Sequence, residues 1–156
     1  MAIGIECQKD EEGCLIISEY RKPNAEFSFY DLGINENKLI KNVKEIKGKG
    51  DFSHSELTNL GNLQFIGGRA SFEGSKITNL KNLQSIGGCA YFSNSQITDL
   101  GDLQTIGGMA DFRYSEITDL GELKLRGEKA KAVVDYTVST NLIAQLKKQN
   151  CEIISL

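Results

Sequence analysis

Between residues 49 and 127 the apolar positions of this chain fall into four segments that align without gaps at an interval of twenty. They are KGDFSHSELTNLGNLQFIG (49–67), RASFEGSKITNLKNLQSIG (69–87), CAYFSNSQITDLGDLQTIG (89–107) and MADFRYSEITDLGELKLRG (109–127). The shared template is x-A-x-F-x-x-S-x-I-T-[ND]-L-x-x-L-x-x-I-G-G. A fixed period of this length is the mark of stacked coils. Within a unit, Ala70 and Phe72 alternate with Arg69, Ser71 and Glu73, which predicts a strand with one buried face. The apolar residues that follow, Ile77, Leu80, Leu83 and Ile86, step by three. That step predicts a tight turn or a short 3₁₀ piece rather than a strand. Each unit is then a strand, a corner, a compact return and a second corner. No unit can bury its own apolar row, so stacking must do it.

The corners carry their own chemistry. Gly-Gly pairs at 67–68, 87–88 and 107–108 precede each strand, where glycine permits positive φ and close backbone approach. Asn59, Asn79, Asp99 and Asp119 stand before the return and are suited to cap free amides. Ser55, Ser75, Ser95 and Ser115 are expected to point inward and bond backbone groups of the next coil.

Outside the repeats the template decays, as terminal units of a stack must. The chain reads as one domain, with an N-terminal cap over 1–39, repeats over 40–127 and a C-terminal cap over 128–156. CLIISEY (14–20) and AEFSFYDL (25–32) are strand-like and predict a hairpin around RKPN. At the other end, Lys131 to Tyr136 predicts a strand. Ser139 or Thr140 reads as an N-cap, and Leu142, Ile143 and Leu146 have helical spacing, with Lys147 and Lys148 late in the helix. Cys151 to Leu156 predicts a final strand, so that strand, helix and strand close the solenoid as a parallel crossover.

The pattern "AxFxxSxITDLxxL" resembles the "LxLxxNxIxxL" core of leucine-rich repeats, above all the internalin-like type with "QITDL". "LxxIGGxAxF" is similar to receptor L-type coils. The resemblance covers roughly residues 40–127. It departs where the strand's first leucine is Ala or Gly, where the ladder Asn is Ser, and in its short unit. It implies a mostly β, leucine-rich-repeat-like parallel β solenoid without convex helices, and a protein-binding role. The hexapeptide β-helix pattern fits "IGGRAS", but twenty is not a multiple of six.

Composition adds limits. The 156 residues fit a single domain, and the net charge of −3 disfavours a phosphate-backbone binder, so no direct nucleic acid is expected. The N-terminus lacks a signal-like pattern and no run reaches membrane-spanning length, so a cytoplasmic chain without membrane contact is expected. Cys7, Cys14, Cys89 and Cys151 form no zinc spacing and are read as reduced thiols, with a Cys7–Cys14 bridge as the alternative.

What varies between units lies on the outside of the strands, in columns with rungs roughly 4.8 Å apart. One column is Asp51, Ser71, Tyr91, Asp111; the next is Ser53, Glu73, Ser93, Arg113. His54, Gly74, Asn94 and Tyr114 follow at the strand's exit, and Lys49, Arg69, Cys89 and Met109 at its start. Tyr and Arg are enriched among interface hot spots, and a flat rigid face loses little entropy on binding. The expected function is non-enzymatic protein binding by this face, in a stand-alone bacterial or phage-type adaptor or inhibitor of another protein. The alternative is a carbohydrate-binding or cell-surface module, for which Tyr91 and Tyr114 permit stacking. A homodimer through the face or an imperfectly capped edge stays open.

Other chemistry is thin. His54 has no positioned nucleophile, because Ser53 and Ser55 should point to opposite faces, and no catalytic residue is assigned. Asp51, Glu73 and Asp111 are spread over different rungs and columns, unlike the clustered carboxylates of a polysaccharide-cleaving solenoid. GKGDFS lacks the setting of a phosphate loop. Asp99 and Asp119 fall short of a calcium ligand set, and no cofactor or metal is expected.

Overall fold

The computed structural model describes residues 7–9, 15–17, 20–21, 40–127 and 130–156. The repeats form a mostly β, parallel β solenoid, and each contributes two short strands rather than the single strand expected. The front sheet holds the Ala-x-Phe strands: β5 (Gly50–Asp51), β7 (Ala70–Ser71), β9 (Ala90–Tyr91) and β11 (Ala110–Asp111). The back sheet holds the ends of the returns: β4 (Val43–Ile46), β6 (Phe65–Ile66), β8 (Ser85–Ile86), β10 (Thr105–Ile106) and β12 (Lys124–Leu125). Registers are regular. Gly50, Ala70, Ala90 and Ala110 lie side by side in front, and Ile46, Ile66, Ile86 and Ile106 at the back. Isolated bridges join Asn59 to Asn79 and Asn79 to Asp99 along a third line.

The step of three and the unexpected strand have a common explanation. The Leu63 N–H donates to the Leu60 carbonyl at 3.2 Å, and Leu83 repeats this with Leu80 at 3.1 Å. One residue later the bonding leaves the coil: the Gln64 N–H donates to Lys44 of the coil before it, and that of Gln84 to Gln64, both at 2.8 Å. The return is therefore a turn that opens into a two-residue strand. Two residues are too few for an alternation to show in the sequence.

Inside, Phe52, Phe72, Phe92 and Phe112 stack in single file with ring centroids 5.4, 5.5 and 5.4 Å apart. All four are fully buried, as are Leu60, Leu63, Leu80 and Leu83. Burying a side chain of this size contributes about 2 kcal/mol, and ring pairing adds about 1. The glycine pairs serve close approach. A Cβ on Gly87 would strike the carbonyl oxygen of Gly67, and one on Gly67 that of Lys47. Positive φ is needed elsewhere, at the corner after each Phe, where His54, Gly74, Asn94 and Tyr114 lie between 52° and 62°.

The inward serines are buried at 55, 75 and 95, and two of their hydroxyls bond backbone groups of their own coil. Ser55 Oγ accepts from the Leu57 N–H at 3.1 Å, and Ser95 Oγ donates to the Phe92 carbonyl at 2.8 Å. Ser75 and Ser115 Oγ have no partner.

At the N-terminal end a hairpin forms ahead of the one expected, whose second arm is not among the described residues. β1 (Cys7–Lys9) pairs antiparallel with β2 (Leu15–Ile17), and the segment 25–32 lies outside the described residues. β2 then joins β4 in parallel, while β3 (Tyr20–Arg21) joins β5. β2 and β3 thus visit the two sheets in the order that β4 and β5 do. The C-terminal end is as expected. β13 (Lys131–Val134) extends the front sheet, α1 (Thr140–Lys148) follows with Ser139 as its N-cap, and β14 (Glu152–Ser155) returns parallel to β13. Leu142 and Leu146 bury the inner face of α1. Among the described residues no helix is long and apolar enough to cross a membrane.

Candidate interaction face

The front sheet sorts side chains by alternation, so Asp51, Ser71 and Tyr91 stand outside while Gly50, Ala70, Phe72, Ala90 and Phe92 are buried. Paired registers place the columns side by side as the sequence predicts. Along the start of the strands Lys49 and Arg69 are exposed and Cys89 and Met109 half-buried. The Arg69 guanidinium lies over the Tyr91 ring, 5.7 Å from its centre. Such a cation–π pair costs the protein little to hold and presents a flat, partly charged platform. At the first rungs the face is short and polar: Ser53 Oγ and Ser71 Oγ are 2.7 Å apart, and Asp51 Oδ1 accepts from the Ser53 N–H at 3.1 Å. Glu73 is exposed. His54 is also exposed, with its ring over Gly74, where a Cβ would meet it. At the exit Asn94 is exposed and Tyr114 is 50% exposed.

Two of the expected contact residues are not on the surface. Asp111 is 2% exposed and Ser93 is 8% exposed. Arg113, two residues on and therefore on the same side, covers Asp111 with a two-pronged pair: Nη2 to Oδ2 at 2.6 Å and Nε to Oδ1 at 3.0 Å. The hydrogen bond and charge of Asp111 hold the guanidinium above its ordinary pKa. From the other flank Asp111 is in register with Val133, itself 5% exposed. The carboxylate orients Arg113 and is not offered to a partner. Ser93 sits in its column between the longer Glu73 and Arg113.

The columns continue beyond the repeats, which the sequence reading missed. KAVVDY (131–136) lies over MADFRY (109–114), with Ala132 beside Ala110 and Val133 beside Asp111. Tyr136, just beyond this register, is 88% exposed. The common Ala at the second position and Tyr at the sixth are the signal that could have revealed this rung. Asp135 is buried, and its carboxylate accepts the Tyr114 N–H at 2.7 Å and the N–H and hydroxyl of Thr137. Burial pushes this carboxyl up, but the Thr137 and Tyr114 donors outweigh it and leave the pKa below its ordinary value.

On the back sheet side, α1 ends the stack. Asn141 Nδ2 donates to the Thr118 carbonyl at 2.9 Å. Gln145 Oε1 accepts the Leu120 N–H at 2.7 Å, and Gln149 bonds both the Leu125 N–H at 3.0 Å and the Leu123 carbonyl at 2.7 Å. Spaced by four, these three amides occupy one stripe of the helix and stand in for the backbone of a coil that never comes.

The remaining candidate groups have partners of their own. Asp99 Oδ1 accepts the Gly101 N–H at 2.7 Å and its Oδ2 accepts from Asn79 Nδ2 at 2.6 Å. Asp119 Oδ1 accepts the Gly121 N–H at 2.7 Å and Gln145 Nε2 at 3.1 Å, which hold its carboxyl below the ordinary range. The expected capping role is thus filled at both. Ser53 is half-buried and Ser55 buried, on opposite faces as predicted. Cys89 and Cys151 are free thiols; burial pushes Cys151 up, while the Cys7–Cys14 alternative falls outside the described residues because Cys14 does. Set against models of protein families, curated proteins and solved structures, the chain matches none of them.

Proposed function

We propose that this chain is a non-enzymatic protein-binding module that engages its partner through the outer side of the front sheet. The observation that carries this reading is the gradient along that side. It runs from short polar groups at Ser53 and Ser71 to Tyr91 under Arg69, half-buried Met109, Arg113 held by Asp111, and the exposed Tyr114 and Tyr136. Aromatic and Arg side chains on a rigid support are what interface hot spots are made of. The back sheet offers the contrast: apart from Phe65, 37% exposed, its outer residues at 45, 64, 84, 85, 104 and 105 are polar. The repeat template's resemblance to leucine-rich repeats supports the same reading. So do the mild charge and, among the described residues, the lack of a carboxylate cluster that could hold a metal, which fit a cytoplasmic adaptor or inhibitor of bacterial or phage type.

A photo-crosslinking side chain placed at Tyr91 or Tyr114 tests the proposal in a native lysate. It is expected to trap one stoichiometric protein partner that the same probe at Asn82 or Glu122, on the return side, does not trap. Equal trapping from both sides removes the face from the argument. Tyr114, 50% exposed, and half-buried Tyr91 also permit sugar stacking. Glycan-array binding abolished by Tyr114→Ala would replace a protein partner with a carbohydrate.

A further inference from the structure

The two sheets finish differently at the C-terminal end. The back sheet stops at β12 beneath the amides of α1. The front sheet stops at β14, and among the described residues no further strand pairs with its outer edge. The N–H groups of Glu152 and Leu156 point inward, to the carbonyls of Ala130 and Val134. By alternation the N–H and C=O of Ile153 and Ser155 point outward. An open edge is usually defended by proline, a bulge or an unpaired charge. β14 has no proline, its register with β13 is unbroken, and its one ionised side chain, Glu152, is paired with Lys131 at 3.0 Å.

We propose that this edge is the seam of a two-fold homodimer, in which β14 of two copies pair antiparallel and fuse their front sheets. A second copy is the occupant because the edge complements itself. With Ile153 of one copy opposite Ser155 of the other, every outward N–H and C=O of both residues in both copies is bonded. Ile153 is in register with the core residue Ala132, so Ile154 lies on the outer side with Val133, and the two-fold axis sets Ile154 against its own counterpart. Glu152 then faces Leu156 of the second copy. Glu152 keeps its ion pair with Lys131, and a leucine 71% exposed in the single chain is covered. The seam also brings the C-terminal ends of two front sheets together, which would let a dimer engage a symmetric partner twice.

Sedimentation velocity of the intact chain is expected to show a dimer at about 100 µM, and a chain that stays monomeric there overturns the seam. Ser155→Pro removes an outward donor while keeping the bonds that hold β14 to β13. It is expected to sediment as a monomer with an unchanged far-ultraviolet spectrum, and a dimeric Ser155→Pro overturns the proposal. Should that variant fail to fold, Ile154→Cys decides, since non-hydrogen-bonded antiparallel neighbours are close enough for a disulfide. Mild oxidation is expected to give a peptide joined residue 154 to residue 154, and a dimer without that crosslink overturns the register.

Discussion

The interior coils and the closing unit face the same problem with different means. Between one coil and the next, backbone meets backbone: Phe72 N–H to the Tyr91 carbonyl and Phe92 N–H to the Asp111 carbonyl, both at 2.8 Å, with a phenylalanine beneath each rung. At the closing unit the front sheet continues by backbone pairing, but elsewhere side chains take over. The Asp135 carboxylate receives the Tyr114 N–H, and Gln145 and Gln149 receive those of Leu120 and Leu125. The file of rings ends as well: Val134 occupies the place of a fifth phenylalanine, one residue after Val133 in its register with Asp111. Repetition is thus stabilised by groups every residue owns, and termination by groups chosen one at a time. The first makes the interior tolerant of outer-face variation. The second makes the end sensitive to single substitutions that look conservative.

The sharpest way to break this contrast is inside the ring file. Phe92→Ala removes a ring packed on both sides and is expected to cost about 4 kcal/mol by urea unfolding, the range for fully buried aromatics. Val134→Ala, at the end of the file, is expected to cost about half as much, because less volume is lost. Equal costs would mean that the file is not what holds successive coils in place.

A smaller effect is expected in the closing unit. Gln149→Ala leaves the Leu125 N–H and Leu123 carbonyl without partners and is expected to cost about 2 kcal/mol. Asp135→Asn keeps an oxygen acceptor but loses the charge that strengthens it, for about 1 kcal/mol. The pH dependence has a definite sign. The folded pKa of Asp135 lies below its unfolded value, so its contribution is fully present above the ordinary carboxylate range of about 4 and is lost as pH falls through the folded value. The gap in urea midpoint between wild type and Asp135→Asn is expected to narrow on acidification below about pH 4. A gap that stays constant would show that the carboxylate's charge does not matter to the cap.

The repeats were legible in the sequence because their letters report contacts that recur. Phenylalanine stacks on phenylalanine, Asn59 and Asp99 each cap the backbone two residues on, and Gly87 is glycine because another carbonyl lies there. The second sheet was not legible, since Phe65–Ile66 and its equivalents are too short for an alternation and the step of three hides them. Nor were the helix amides. Asn141, Gln145 and Gln149 make a polar stripe, and a polar stripe reads as solvated unless the open end of a stack is known to lie against it. On the candidate face, Tyr91 and Tyr114 could be placed from column and period. The burial of Asp111 could not, because it depends on the neighbouring rung supplied by Val133, beyond the template.

The smallest predicted effect separates a repeated letter from a repeated interaction. Ser75 and Ser95 occupy the same template position and are both buried, but Ser95 Oγ donates to the Phe92 carbonyl while Ser75 Oγ has no partner. Removing a bonded buried hydroxyl costs about 1 kcal/mol, whereas removing an unbonded one relieves a desolvated group and is close to neutral. Ser95→Ala is therefore expected to lower stability by about 1 kcal/mol in urea, and Ser75→Ala to leave it unchanged or slightly raise it. Equal losses in the two variants would mean that the serine column acts as one bonded ladder through the interior coils, so that the interior too would rest on chosen side chains and its difference from the closing unit would shrink to the phenylalanine file alone.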